Sequence, residues 1–297
     1  MVSKQKSKST TQVDDLTTKA MLVRFSLHGW SGRKRDGNVE EEVADKHKAA
    51  ANVGVYIKRI LTSPKLKAFW SAGIACNTEH KRLTLPWEAG TGILPAKLYF
   101  KYRDTIEPLR TEALKFADEF VEEYTKQWNN GMSDCRESLG DLFSKDDYPD
   151  PKYMGAKFDI RLRFRPLENP NDFRVNLGKD ATSQVRDELA ESLKSDFQEL
   201  MREPFKRLHE VIQKVHAKLS DSDAIFRDSL IDNVKDLIEV LPDLNITDDP
   251  ELAKLIAAAR KNICTSDVQA LRDDGDYRTK VAKSAADILK QMKGVMG

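Results

Sequence analysis

The sequence predicts an α+β protein, predominantly α-helical, with a small antiparallel sheet packed by long helices and a helical C-terminal region. Apolar residues recur at steps of three and four over most of the chain. Leu98, Tyr102, Ile106, Leu109, Phe116, Phe120, Tyr124 and Trp128 form one such stripe, and a second runs from Val185 to Leu219. Two stretches alternate with period two instead: Met21, Val23, Phe25 and Leu27, then Phe158, Ile160, Leu162 and Phe164. Of the 297 residues, 40% are hydrophobic, enough for a core, and 33% are charged. That charged share exceeds the usual figure of about 25% and suits long helices with solvent-washed faces.

Residues 1–16 have no hydrophobic period and read as a flexible basic tail; residues 17–180 are expected to form the α+β domain and 181–297 a helical region. After the first strand, the glycines and basic residues from Gly29 to Gly37 predict a loop. A helix then starts at Asn38 as N-cap with Glu41 three residues on, and its stripe of Val43, His47, Ala50, Gly54, Ile57 and Leu61 carries it to about residue 61. Ser63-Pro64 caps the next helix. Residues 81–95, rich in proline and glycine, read as an ordered loop.

The helix over 96–128 contains Pro108, which predicts a kink or a second start, and Asn129-Asn130-Gly131 ends it. A short helix near Leu139 leads into a turn-rich acidic loop, Asp146 to Pro151. Phe173-Arg174-Val175 is a candidate third strand. From Ser183 the pattern is helical: a long helix over 185–219 containing Pro204, one over 223–240, one starting at Asp249-Pro250 and one over 277–293.

Net charge is +1, but its distribution is uneven. Residues 1–36 carry eight Lys/Arg against three Asp, residues 221–251 ten Asp/Glu against two basic residues, and residues 276–297 five Lys/Arg against two Asp. Such poles suit self-association or a charged partner. No apolar run approaches the roughly 20 residues of a membrane span, and the basic N-terminus lacks the apolar stretch of a signal peptide. A cytoplasmic protein without a membrane partner is therefore expected. Cys76, Cys135 and Cys264 are widely spaced and expected to be buried free thiols.

Chemical motifs are missing. There is no GxxxxGK[ST], Gly90-Thr91-Gly92 does not follow a GxGxxG pattern, and Gly29-Trp30-Ser31-Gly32 lacks the spacing of a nucleophile elbow. His209 and His216 are seven apart, about 10.8 Å along a helix, too far for one zinc. His47 reads as a boundary residue. Asp273-Asp274-Gly275-Asp276 reads as a polar turn. Asp146, Asp147 and Asp150 are the weak basis of a third reading, a metal-dependent DNA-processing enzyme. The expectation is no catalytic residue, no metal, no cofactor and no enzyme activity.

Nucleic-acid binding is one reading of the second alternating stretch. Arg161, Arg163 and Arg165 project from one strand face about 6.6 Å apart, at about 3.3 Å per residue. That spacing and the guanidinium fork suit the phosphates of an extended strand. Arg24, Arg33, Lys34 and Arg35 extend the patch, and Trp30 would offer a surface for base stacking. The alternative is that this arginine face packs against acidic helices such as 221–251.

Several stretches resemble a known family: Arg24-Phe-Ser-Leu-His-Gly-Trp-Ser-Gly, Thr84-Leu-Pro-Trp with Gly92-Ile-Leu-Pro-Ala, Leu139-Gly-Asp-Leu-Phe with Asp147-Tyr-Pro, and Phe164-Arg-Pro with Asp172-Phe-Arg-Val. Their order is similar to that in an uncharacterised family of phages, plasmids and integrative elements, over about residues 20–180. The resemblance implies an accessory role beside a MoxR-type AAA+ ATPase and a CobT-like protein with a von Willebrand A domain, in the host cytoplasm for a phage-encoded chain. It carries over no catalytic residue. The reading is a non-enzymatic accessory or binding protein of a phage or mobile element, acting with the ATPase or on DNA or RNA. The alternative is a self-assembling structural protein built on long helices; a homo-oligomer is expected in either case.

Overall fold

In the computed structural model, the described residues are 17–50, 52–88, 90–173, 175 and 177–296. The basic tail at 1–16 and Arg174 lie outside them. Helices dominate, and two small antiparallel sheets are present. Contacts divide the chain into two units that interleave along the sequence. Among the described residues, one unit comprises 17–24, His80–Tyr102 and 163–296; the other comprises Phe25–Glu79 and Arg103–Leu162. Residues 181–296 thus share a unit with 80–102 and with the start of the first strand.

The larger sheet has the order β4-β5-β1-β6. Its strands are β1 (Ala20–His28), β4 (Leu85–Pro86), β5 (Thr91–Pro95) and β6 (Asp159–Pro166). The first unit holds β4, β5, the start of β1 and the end of β6. β1 pairs antiparallel with β5, Ala20 opposite Pro95 and Arg24 opposite Thr91. β4 pairs with β5, so the stretch 81–95 expected as a loop supplies two strands. Gly92 makes this close approach feasible: a Cβ there would lie 2.5 Å from Thr84 Oγ1. Phe173 and Val175 are not in a strand.

The C-terminal half is helical. α5 (Lys179–Leu200) and α6 (Arg202–Ser220) replace the single long helix expected there. Pro204 is the reason for the division. It sits in the first turn of α6, where its missing N–H would have had no helical partner anyway. α7 (Ser229–Leu244), α8 (Pro250–Ala259), the short α9 (Val268–Asp273) and α10 (Gly275–Met296) follow. Asp249 caps α8 by accepting from the backbone N–H groups of Glu251 and Leu252, as the Asp-Pro signal predicts. Asp274 caps α10 through the N–H groups of Asp276 and Tyr277, which is the role of that acidic turn. Leu208, Ile212 and Val215 of α6, Ile231, Val234 and Leu241 of α7 and Ala285, Ile288 and Met292 of α10 are buried together with α8 in the core of this unit.

The second unit contains α1 (Gly37–His47), the two-stranded ribbon β2 (Arg33–Arg35) and β3 (Ile57–Arg59), most of α2 (Pro64–Leu83) and α3 (Tyr99–Asn129), and α4 (Ser133–Leu139). Asp36 rather than Asn38 caps α1, accepting from Val39 N–H. The helix stops at Lys48, which is left-handed at φ 51, and does not reach residue 61. The spacing misled because Val43 and Ile57, read as one buried stripe, are both exposed. Ser63 Oγ accepts from Lys65 and Leu66 N–H at the start of α2. α3 runs through Pro108 without a break. Pro108 and Asp104, whose carbonyl loses its helical partner, both face solvent.

An aromatic cluster forms the core of this unit. Phe69 meets Phe158 edge-on at 4.9 Å, Phe120 meets Phe158 at 5.6 Å, and Phe120 meets Tyr124 at 5.9 Å between centroids. The buried hydroxyls are satisfied. Tyr148 donates to Ile60 O and Tyr124 to Pro149 O, each at 2.6 Å. Cys76 is buried here, whereas Cys135 and Cys264 are half-buried, so full burial holds for one of the three. Among the described residues, no helix is long and apolar enough to cross a membrane.

Candidate nucleic-acid interface

β6 alternates as its sequence requires. Ile160 is buried, Leu162 and Phe164 are half-buried, and Arg161, Arg163 and Arg165 are exposed on the other side. The apolar side is held in place: Phe158, one residue before the strand, packs on Phe69 of α2, and Phe164 meets the rings of Tyr99 and Tyr102. On β1, the neighbouring strand, Leu27 also packs on α2, close enough that a Cβ on Gly73 would lie 2.7 Å from it. Val23, Phe25 and Leu27 therefore share the helix-covered side with Phe158 and Ile160. By alternation, Arg24 lies on the same side as Arg163 and Arg165; that side of β1 is buried at Ala20 and Leu22 and open at Arg24.

The charge state of that open part is the decisive point. Arg161 Nε lies 2.5 Å from Asp159 Oδ2 on its own strand. Arg24, Arg163 and Arg165 have no ion pair among the described residues, and no acidic helix covers them. Three acids of 221–251 pair with other cations, Glu239 with Lys101, Asp228 with Arg272, and Asp248 with Lys19 and Lys97, and none of the segment's acids pairs with Arg24, Arg163 or Arg165 among the described residues. The packing alternative for the arginine face therefore finds no support in these ion pairs.

The residues from 30 to 35 are placed differently. Trp30 stacks on Phe120 at 5.9 Å and meets Tyr124 edge-on at 5.6 Å, while its carbonyl accepts from Trp70 Nε1. Its ring is half-buried in the aromatic core, which corrects the expectation of a free stacking surface. Arg33, Lys34 and Arg35 form β2, opposite Arg59, Lys58 and Ile57 of β3. Lys34 Nζ pairs with Asp147 Oδ1 at 2.8 Å, and Arg35 holds Glu40 through two guanidinium nitrogens. Arg33 is exposed and without an ion pair among the described residues.

Beneath the ribbon, Lys58 Nζ lies 2.7 Å from both Asp36 Oδ2 and Asp147 Oδ2 and donates to Leu142 O. Burial acts to lower the Lys58 pKa, but the two carboxylates outweigh it and hold the amine above its ordinary value. Burial likewise acts to raise Asp147, and its bonds to Lys34 and Lys58 bring it below the usual carboxylate range. Asp147 is thus a neutralised structural carboxylate. Asp150 caps a turn by accepting from Lys152 N–H, and Asp146 is exposed. Among the described residues, no group of three His, Cys, Asp or Glu is placed to hold a metal ion.

Sequence reasoning missed Lys58, Asp36 and Arg59. The available signal was the period-two run Val53, Val55, Ile57, Arg59, which was outcompeted by a coincident helical spacing. Comparisons with models of protein families, with curated proteins and with solved structures found no match.

Proposed function

We propose that the chain is a non-enzymatic nucleic-acid-binding protein whose contact face is the open part of the sheet. Arg24, Arg163 and Arg165 contact phosphates, and Arg161 joins them once drawn from Asp159. The observation that carries this reading is a run of exposed arginines at alternate positions of one strand, two of them without a counter-charge among the described residues. Guanidinium groups so placed match phosphates along an extended single strand, and contacts to the backbone alone make the binding insensitive to sequence. With Trp30 turned into the core, affinity rests on electrostatics and falls steeply with salt. The family resemblance adds an AAA+ ATPase as the machine such an accessory protein would serve.

The test is fluorescence anisotropy of a labelled single-stranded oligonucleotide over a salt series. Arg163→Gln with Arg165→Gln should flatten the slope of log affinity against log salt by about 0.7 per lost contact. The melting temperature should not change. Unchanged affinity with a lowered melting temperature would show that these arginines act within the fold and would reject the reading.

A further inference from the structure

Ile225 is 91% exposed. A lone exposed isoleucine is ordinary, but this one sits on a loop that is held rigidly. Arg278 donates to the carbonyls of Lys218, Leu219, Asp221, Ser222 and Ala224, a single guanidinium clamping the turn from 218 to 224. The next residue, Phe226, is buried between the guanidinium groups of Arg272 and Arg278, at 5.5 and 5.2 Å from its ring. Arg272 also donates to Phe226 O and pairs with Asp228. Both neighbours of Ile225 are therefore fixed, and the apolar side chain between them is presented to solvent at little further entropic cost on docking. Asp221 and Asp223 flank it, exposed and without an ion pair among the described residues.

A surface of opposite character exists on the same chain. The β2–β3 ribbon and the extended segment before it expose Val55 at 64% and Ile57 at 56%. Ile57 stands opposite Arg35, and Arg59 stands directly opposite Arg33. Tyr56 O accepts from Asp36 N–H and Gly32 O from Ile60 N–H, so the pairs 33/59 and 35/57 occupy the sites where facing side chains come closest. Two unpaired arginines at such a site repel one another. A carboxylate brought between them would relieve this.

We propose that the loop 221–228 of one copy docks on the β2–β3 ribbon of a second copy. Ile225 lies against Val55 and Ile57, and Asp221 and Asp223 face Arg33 and Arg59. The occupant is a second copy because the loop and the ribbon complement each other twice, apolar on apolar and acid on base. The contact is heterologous, joining different surfaces of the two partners.

The test is sedimentation of the full chain, free of nucleic acid, over a concentration series. The weight-average mass should rise above the 33.7 kDa of one chain, and added salt should move that rise to higher concentration. Ile225→Asp alone and Val55→Ser with Ile57→Ser should each hold the monomer mass with an unchanged melting temperature. Ile225→Ser replaces Ile225→Asp should the latter melt early. An equimolar mixture of the loop variant and the ribbon variant should recover a species of twice the chain mass, since each keeps the surface the other has lost. A wild-type chain that stays monomeric, variants that associate like wild type, or a mixture that stays monomeric would each overturn the proposal. So would a monomeric wild type whose ribbon alone mediates retention on phosphatidylserine vesicles, which would assign that face to lipid.

Discussion

Lys58 and Asp147, 89 positions apart, meet at 2.7 Å with both side chains more than nine-tenths buried. The pair joins the β2–β3 ribbon to the loop after α4. It also takes up the most buried member of the acidic cluster that a metal-dependent enzyme would have required. Asp36 and Lys34 complete the arrangement, so that two cations and two carboxylates share one site.

Asp147→Asn should destabilise the protein substantially. Removing one partner of a buried ion pair costs roughly 3–5 kcal/mol, because the other charge is left uncompensated. The expected value lies toward the lower end, since Lys58 keeps Asp36. Chemical denaturation measures it, and Lys34→Gln, at the exposed edge of the cluster, should cost far less.

Trp30→Ala should affect stability and leave nucleic-acid affinity alone. The two ring pairs it would lose contribute about 0.5–1.5 kcal/mol each beyond burial, and the expected cost is about 3 kcal/mol, the low end for a tryptophan because the ring is half-buried. Anisotropy and thermal melting on the same preparation separate the two roles. A loss of affinity with unchanged melting would return Trp30 to the binding face.

Stability should decline on mild acidification, through His80. Its Nδ1 lies 2.9 Å from the Tyr102 hydroxyl in a buried site, and burial, aided by Lys81, lowers its pKa to about 4 from an ordinary 6.5. The folded state therefore keeps the imidazole neutral while the unfolded chain takes up a proton. The stability this confers is fully present above about pH 6.5 and is lost progressively as pH falls toward 4. The loss amounts to roughly 3 kcal/mol at most, since a tenfold change in proton affinity is worth about 1.36 kcal/mol. Urea midpoints between pH 7 and 4 should show that fall, and His80→Gln should flatten it.

Short-range pattern was enough to establish the α+β class, the extent of β1 and β6, the apolar stripe of α3 and the caps at Ser63 and Asp249. Each of these depends on residues within a few positions of one another, where side-chain period and capping chemistry act locally. Alternation alone also places Arg161, Arg163 and Arg165 on one strand face. The remaining features required the folded chain. Whether Trp30 faced bases or Phe120, and whether Lys34 met phosphate or Asp147, depended on partners about 90 or more positions away. β4 is too short to carry a period of its own, the alternation leading into β3 coincides with a helical spacing, and β5 finds its partner in β1, with Ala20 opposite Pro95. A stripe of apolar residues shows which side of an element can be buried; only the packed chain shows what covers it.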